Sequence, residues 1–155
     1  SSLLLSANSL TLLNEVKIWS KIKNYELSNL FVICGEGLLA TRDYFPSTSV
    51  ADIYINFPDP WPKNRHAKNR LIRPDFLSQA HRILLPQGSV TFVTDDLGYS
   101  EWTINAFQKD LRFQSAYPPP FYKTEKLDYG TSYFEDLWRE QGKIIRYHQF
   151  IKKQT

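Results

Sequence analysis

Apolar positions recur along the chain with two periods. Between residues 11 and 25, Leu12, Val16, Trp19 and Ile22 fall three or four apart, with Lys17, Lys21 and Lys23 off that stripe. This spacing predicts a helix with one buried face. Asn29 to Cys34 predicts a short buried strand that ends in Gly35-Glu36-Gly37, and Leu38 to Phe45 a short helix. Ala51 to Phe57 predicts a second strand, stopped by Pro58 and Pro60, because proline lacks the amide hydrogen a central strand needs. Arg73 to Leu85 predicts a helix. Pro74 suits its first turn, and Phe76, Leu77, Ala80, Ile83 and Leu84 form its apolar face. Pro86-Gln87-Gly88 predicts a turn, Ser89 to Thr94 a third strand ending in Asp95-Asp96, and Gly98 to Lys109 a helix. Ser115 to Lys126 is a proline-rich loop. Tyr133 to Gln141 predicts a helix, and Lys143 to Ile151, after Gly142, a last strand.

Helices alternating with strands predict an α/β fold with a mostly parallel sheet and helices on both faces. In such sheets ligands bind beyond the carboxyl ends of the strands. Three predicted strands end in acids, Glu36, Asp59 and Asp95, which are expected to line one edge.

Composition sharpens this picture. A chain of 155 residues with 42% apolar and 23% charged residues is expected to form one domain with a real core. No apolar run reaches 18 residues, so no membrane span is predicted. The opening SSLLLSANSLTLL lacks the basic start of a signal peptide. The single cysteine, Cys34, excludes an internal disulfide framework and fits a cytoplasmic protein. It also excludes a cysteine-based zinc site. The three histidines, His66, His81 and His148, are scattered, and no metal is predicted. A net charge of +3 is modest, so an anionic partner must meet a local patch.

That patch lies in INFPDPWPKNRHAKNR, residues 55–70. Asp59 reads either as a turn aspartate between prolines or as a carboxylate held at a strand end for chemistry. Trp61 reads either as core or as a surface that stacks on a flat ligand. Lys63, Arg65, Lys68, Arg70 and Arg73 fall within eleven residues that contain no acid. A solvated face usually mixes signs, so this run points to phosphate contact, with His66 as part of the same surface. Gly35-Glu36-Gly37 lacks the full dinucleotide-loop spacing. It reads better as a strand-end acid whose flanking glycines admit a ligand to the backbone.

NFPDPWPKNRHAKNRL, followed by Pro74-Asp75-Phe76-Leu77, LLPQGSVTFVTDD and SYFEDLWREQGKIIRY, resembles the signature of the bacterial tRNA (guanine-N7)-methyltransferases from about residue 15 onward. The resemblance implies a Rossmann-like fold that uses S-adenosyl-L-methionine to methylate N7 of a guanosine in the tRNA variable loop, position 46. By position, Glu36 resembles the acid at the adenine end of the cofactor, with Gly35 and Asn56 assigned to the cofactor side. Asp59 resembles the active-site acid between cofactor and substrate. Lys63, Asp95, Ser132 and Glu135 resemble substrate-binding positions, and Arg65 and Arg70 are assigned to the tRNA. The family's first strand and glycine-rich loop belong before residue 15. Residues 1–14 contain no glycine and no acid, and they read as joined or truncated pieces of that region.

The chemistry implied needs little from the protein beyond placement. Guanine N7 carries a free lone pair, so no general base is required, and aligning N7, methyl carbon and sulfur supplies much of the acceleration. Asp59 is cast as positioner and electrostatic stabiliser of the charge that moves onto the purine. A carboxylate from Asp95 or Glu135 matches the N1–H and N2–H donors of guanine, once the base is splayed from its stack. Three rival readings are an exocyclic-amine methyltransferase, an RNA-binding domain without activity, and a purely structural α/β domain, which leaves the basic run unexplained. The first would place an acid or amide before a Pro-Pro pair, where this chain has Pro58-Asp59-Pro60-Trp61. The assembly is expected to be a monomer or a homodimer.

Overall fold

The structure is a computed structural model that describes residues 2–6, 20–26, 28–30, 33, 35–126 and 133–154. Its strands are β1 (Ser2–Ser6), β2 (Val50–Asn56), β3 (Leu84–Thr94), β4 (Phe113–Ser115) and β5 (Arg146–Lys152). Its helices are α1 (Gly37–Tyr44), α2 (Pro74–Ile83), α3 (Leu97–Lys109) and α4 (Tyr133–Glu140), with a 3-10 segment at Asn64–Asn69. Of the helix expected at 11–25, residues 20–24 are helical and 11–19 lie outside the described residues. Of the strand expected at 29–34, residues 29, 30 and 33 are described and none of them is in a strand, while 31, 32 and 34 lie outside the described residues.

The sheet order is β1-β2-β3-β5-β4. β1, β2 and β3 run parallel, and β5 is antiparallel to both β3 and β4, so four of the five strands share one direction and the sheet is mostly parallel with one reversed strand. The cause is topological. α4 lies at the carboxyl edge, where Trp138 packs against the buried cluster of Val93, Ile145 and Tyr147, so β5 enters the sheet from that edge and runs back. β1 within residues 1–14 and the three-residue β4 were not predicted.

β2 alternates, with Ile53 and Ile55 fully buried, while every residue of β3 from 88 to 94 is buried. A strand buried without alternation has both faces covered. α2 presents Phe76, Leu77, Ala80 and Ile83 to this core, and Tyr99, Phe107 and Phe150 complete it. Phe107 and Phe150 stack with centroids 3.8 Å apart. Removing any one of these large side chains costs about 2–5 kcal/mol.

The turn predicted at Pro86-Gln87-Gly88 is a bulge inside β3. Val50 pairs with Leu84 and Asp52 with Ser89, so a step of two residues on β2 matches five on β3. Gln87 takes φ 63°, and residues 85–87 are exposed. A Cβ on Gly88 would lie 2.5 Å from the Ala51 carbonyl oxygen, so only glycine lets the strands close here. The turn residues do turn the chain, but without ending the ladder.

α1 and α2 pack together, and both end at the amino edge of the sheet, next to the strands they feed. Arg82 donates to the carbonyls of Phe45 and Thr41, closing the end of α1. The N-termini of α1, α2 and α3 therefore point toward the carboxyl edge.

Candidate active site at the carboxyl edge

The Phe57 amide donates to the Val93 carbonyl at 2.9 Å, extending the β2–β3 ladder one residue past β2. The chain then leaves the sheet through Pro58-Asp59-Pro60-Trp61. Phe57 and Trp61 both take left-handed φ, 46° and 44°, which is costly for aromatic residues and needs surrounding contacts to persist. Pro58 is buried and Asp59 exposed. Among the described residues the Asp59 carboxylate has no hydrogen-bond or ion-pair partner. The turn is thus fixed by its backbone, leaving the acid open to a ligand.

The 3-10 segment follows, crossing the same edge toward α2. Lys63, Arg65 and Lys68 are exposed on it, and His66 sits edge-on to Trp61 with centroids 5.9 Å apart. Arg73 is half-buried, donating to the Lys68 carbonyl and pairing with Asp75. Arg70 departs from the sequence expectation of a phosphate contact, because its side chain turns inward. It is 9% exposed, donates from Nε to the Pro60 carbonyl at 2.8 Å and from Nη2 to the Trp61 carbonyl at 3.4 Å. Its guanidinium lies over the rings of Tyr99 and Trp102, 5.2 and 4.9 Å from their centroids.

Asp95 follows β3 on the same edge. Its carboxylate accepts from Lys143 Nζ at 2.7 Å, and that ammonium sits 3.5 Å from the Trp138 ring centroid. The next residue, Asp96, caps α3 by accepting from the Tyr99 amide at 2.6 Å. Glu135 lies on α4, buried at 5% exposure. Tyr147 Oη donates to its Oε1, as does Arg139 Nε at 3.1 Å. Burial, and then the adjacent Glu135, push the Tyr147 hydroxyl up to about 12, so it acts as a donor.

Gly35 and Glu36 precede α1. Among the described residues, a Cβ on Gly35 would meet nothing within 4 Å, and the exposed Glu36 side chain makes no cap hydrogen bond. Asn56 ends β2, half-buried, in register with Val93. Ser132 lies outside the described residues. Sequence reasoning missed Lys143, Trp138, Tyr99 and Trp102. Lys143 lay inside the expected last strand, and no local pattern marks the three aromatic residues.

Among the described residues, no group of three or more His, Cys, Asp or Glu could hold a metal ion. No helix among them is long and apolar enough to cross a membrane.

The fold is shared with methyltransferases of known structure. It superposes on an rRNA methylase from Streptococcus thermophilus with a TM-score of 0.58 at 11% identity, covering 99% of this chain and 88% of that one. It superposes on a SAM-dependent methyltransferase from Aquifex aeolicus with a TM-score of 0.57 at 12% identity, covering 97% and 69%. The architecture is therefore the Rossmann-like α/β fold of methyltransferases. Within that class, the chain belongs to the family described as "Putative methyltransferase", whose pattern matches residues 13–147. It is 39% identical over 137 residues to a tRNA (guanine-N(7)-)-methyltransferase of Chlamydia caviae, covering 88% of this chain and 60% of the relative. The protein of that name from Chlamydia trachomatis is 41% identical over 138 residues with the same coverage. The Thermotoga maritima protein is 36% identical over 128 residues, covering 83% of this chain and 40% of that protein. The chain thus spans about 60% of the length of the chlamydial relatives.

Proposed function

We propose that this chain carries the substrate side and part of the cofactor side of an S-adenosyl-L-methionine-dependent enzyme that methylates N7 of a guanosine in tRNA. The observation that carries this reading is one connection, residues 57–69. It holds an uncommitted carboxylate, Asp59, on a rigid turn and then exposes Lys63, Arg65 and Lys68 on the same edge. The names of its relatives agree with it.

The cofactor's contribution is an electrophilic sulfonium methyl. Gly35 and Glu36 fit its adenine end, because the backbone there is open among the described residues and the exposed Glu36 carboxylate does not cap α1. Asn56 and Asp59 face the junction with the substrate. Lys63, Arg65 and Lys68 hold phosphates as exposed cations, and binding through them weakens with salt. Asp59 orients the purine and stabilises the positive charge it gains.

Asp95 is the better reader of the guanine N1–H and N2–H edge. Its carboxylate is partly exposed, 21% at the side chain, with Lys143 on one oxygen. Glu135 is buried in a hydrogen-bonded set with Tyr147 and Arg139, where it orders α4. Position 46 in the variable loop is the proposed target. The cytoplasm is the proposed compartment.

The deciding experiment uses labelled S-adenosyl-L-methionine and unmodified tRNA. Label in a nucleoside whose chain breaks under borohydride and aniline identifies N7-methylguanosine. Label in an N2-methyl product, or tRNA binding without transfer by the full-length protein, would overturn the reading.

A further inference from the structure

We infer that Arg70 is a positioning residue for methyl transfer, holding the Asp59 turn against helix α3, and that it makes no contact with tRNA phosphate. This inference rests on the reading of Asp59 given above.

Arg70 belongs by sequence to the basic run, yet it is buried where Lys63, Arg65 and Lys68 are exposed. Neither of its hydrogen bonds to the described residues goes to a carboxylate. Both go to backbone carbonyls of the turn itself, Pro60 and Trp61, the two residues after Asp59. A buried guanidinium satisfied by carbonyl dipoles and aromatic faces is a structural cation, since desolvation has been offset by contacts a phosphate would have to displace. The planar fork spans two carbonyls at once, which a lysine ammonium does not reproduce.

The rings over Arg70 are also hydrogen-bonded to the two residues that follow it. Tyr99 Oη accepts from the Leu71 amide at 3.0 Å and the Ile72 amide at 3.3 Å. Trp102 Nε1 donates to the Ile72 carbonyl at 2.7 Å. Tyr99 and Trp102 lie on α3, which starts immediately after Asp95-Asp96. Arg70 therefore links the turn that carries Asp59 to the helix that follows Asp95. If it is lost, the two acids are free to shift relative to each other, and a misplacement near 1 Å costs about 100-fold in rate.

The test compares Arg70→Lys and Arg70→Met with wild type in the full-length protein. The single-turnover rate at saturating tRNA and S-adenosyl-L-methionine should fall about 10- to 100-fold. The tRNA dissociation constant and its salt slope should stay at wild-type values. Weaker tRNA binding with a shallower salt slope and an unchanged rate would overturn the proposal in favour of phosphate contact. An unchanged rate and unchanged binding would also overturn it. If Arg70→Met fails to fold, Arg70→Lys decides. Amide exchange of residues 57–62, excluding the prolines, gives a readout independent of activity. Faster exchange in Arg70→Lys supports the brace, and unchanged exchange sinks it, even if the wild-type enzyme proved to methylate some other atom.

Discussion

Asp59 and Asp95 follow neighbouring parallel strands and reach the same edge, but they are held in opposite ways. The Asp59 turn is locked through its backbone, by two prolines, two left-handed residues and Arg70, while the carboxylate is left unengaged. The carboxylate of Asp95 is itself engaged, by Lys143, and its neighbour Asp96 caps a helix. A group held through its backbone keeps its full electrostatic and hydrogen-bonding capacity for a ligand. A group held through its side chain shares that capacity with its partner. Under the proposed function, this contrast suits the first acid to charge stabilisation and the second to recognition of the base.

The largest test of the contrast is Asp59→Ala. Methyl transfer should fall at least about 100-fold, the scale of losing a preorganised electrostatic group. Because the side chain has no hydrogen-bond or ion-pair partner among the described residues, unfolding free energy should change by less than about 0.5 kcal/mol. Initial rates and a urea titration on one preparation check both halves. A destabilised Asp59→Ala protein would show that the acid is structural after all.

A second test probes the scaffold beside Asp95. His148 is fully buried, donating from Nδ1 to the Phe121 carbonyl and accepting at Nε2 from Ser100. Burial lowers its pKa to about 4 from the ordinary 6.5. The folded protein keeps the ring neutral through pH 6.5 to 4, whereas the unfolded chain takes up a proton near 6.5. Its contribution is therefore full above pH 6.5 and is lost as pH falls toward 4, by roughly 3 kcal/mol. Urea midpoints at pH 7.5, 5.5 and 4.5 should show this slope, and His148→Asn should flatten it.

The exposed cations give a smaller effect. Lys63→Ala with Arg65→Ala should weaken tRNA binding and reduce the slope of log K against log salt by about 1–2. Binding isotherms at several salt concentrations measure it, and an unaltered slope would remove these residues from the tRNA surface. Smallest is Lys143→Met. The pair with Asp95 is partly exposed, so stability should fall by less than about 1 kcal/mol. Discrimination against inosine, which lacks the N2 amine, should change in the same variant if Lys143 shapes how Asp95 presents its oxygens.

Much of the edge was legible because it is written in local chemistry. Pro58 and Pro60 had to stop β2, and an acid set between prolines just past a strand is a local pattern. Inside-outside placement was not legible in the basic run, since Lys68 and Arg70 look alike in sequence and differ only in what Tyr99 and Trp102, about thirty residues on, place around them. The bulge at Gly88 was misread because a turn that ends a strand and one that kinks it use the same residues. The antiparallel entry of β5 depends on where α4 docks, which no local pattern encodes.

The placement of β5 also bears on the order in which the molecule can be assembled. β5 lies between β3 and β4, both of which precede it in the chain. During synthesis β3 therefore waits with one edge open, and β4 with no partner, until residues 146–152 emerge. Open strand edges recruit other chains, so for that interval the nascent protein depends on its neighbours staying away. Ribosome pauses or chaperone contacts just before residue 146 would act on a sheet that is still half built.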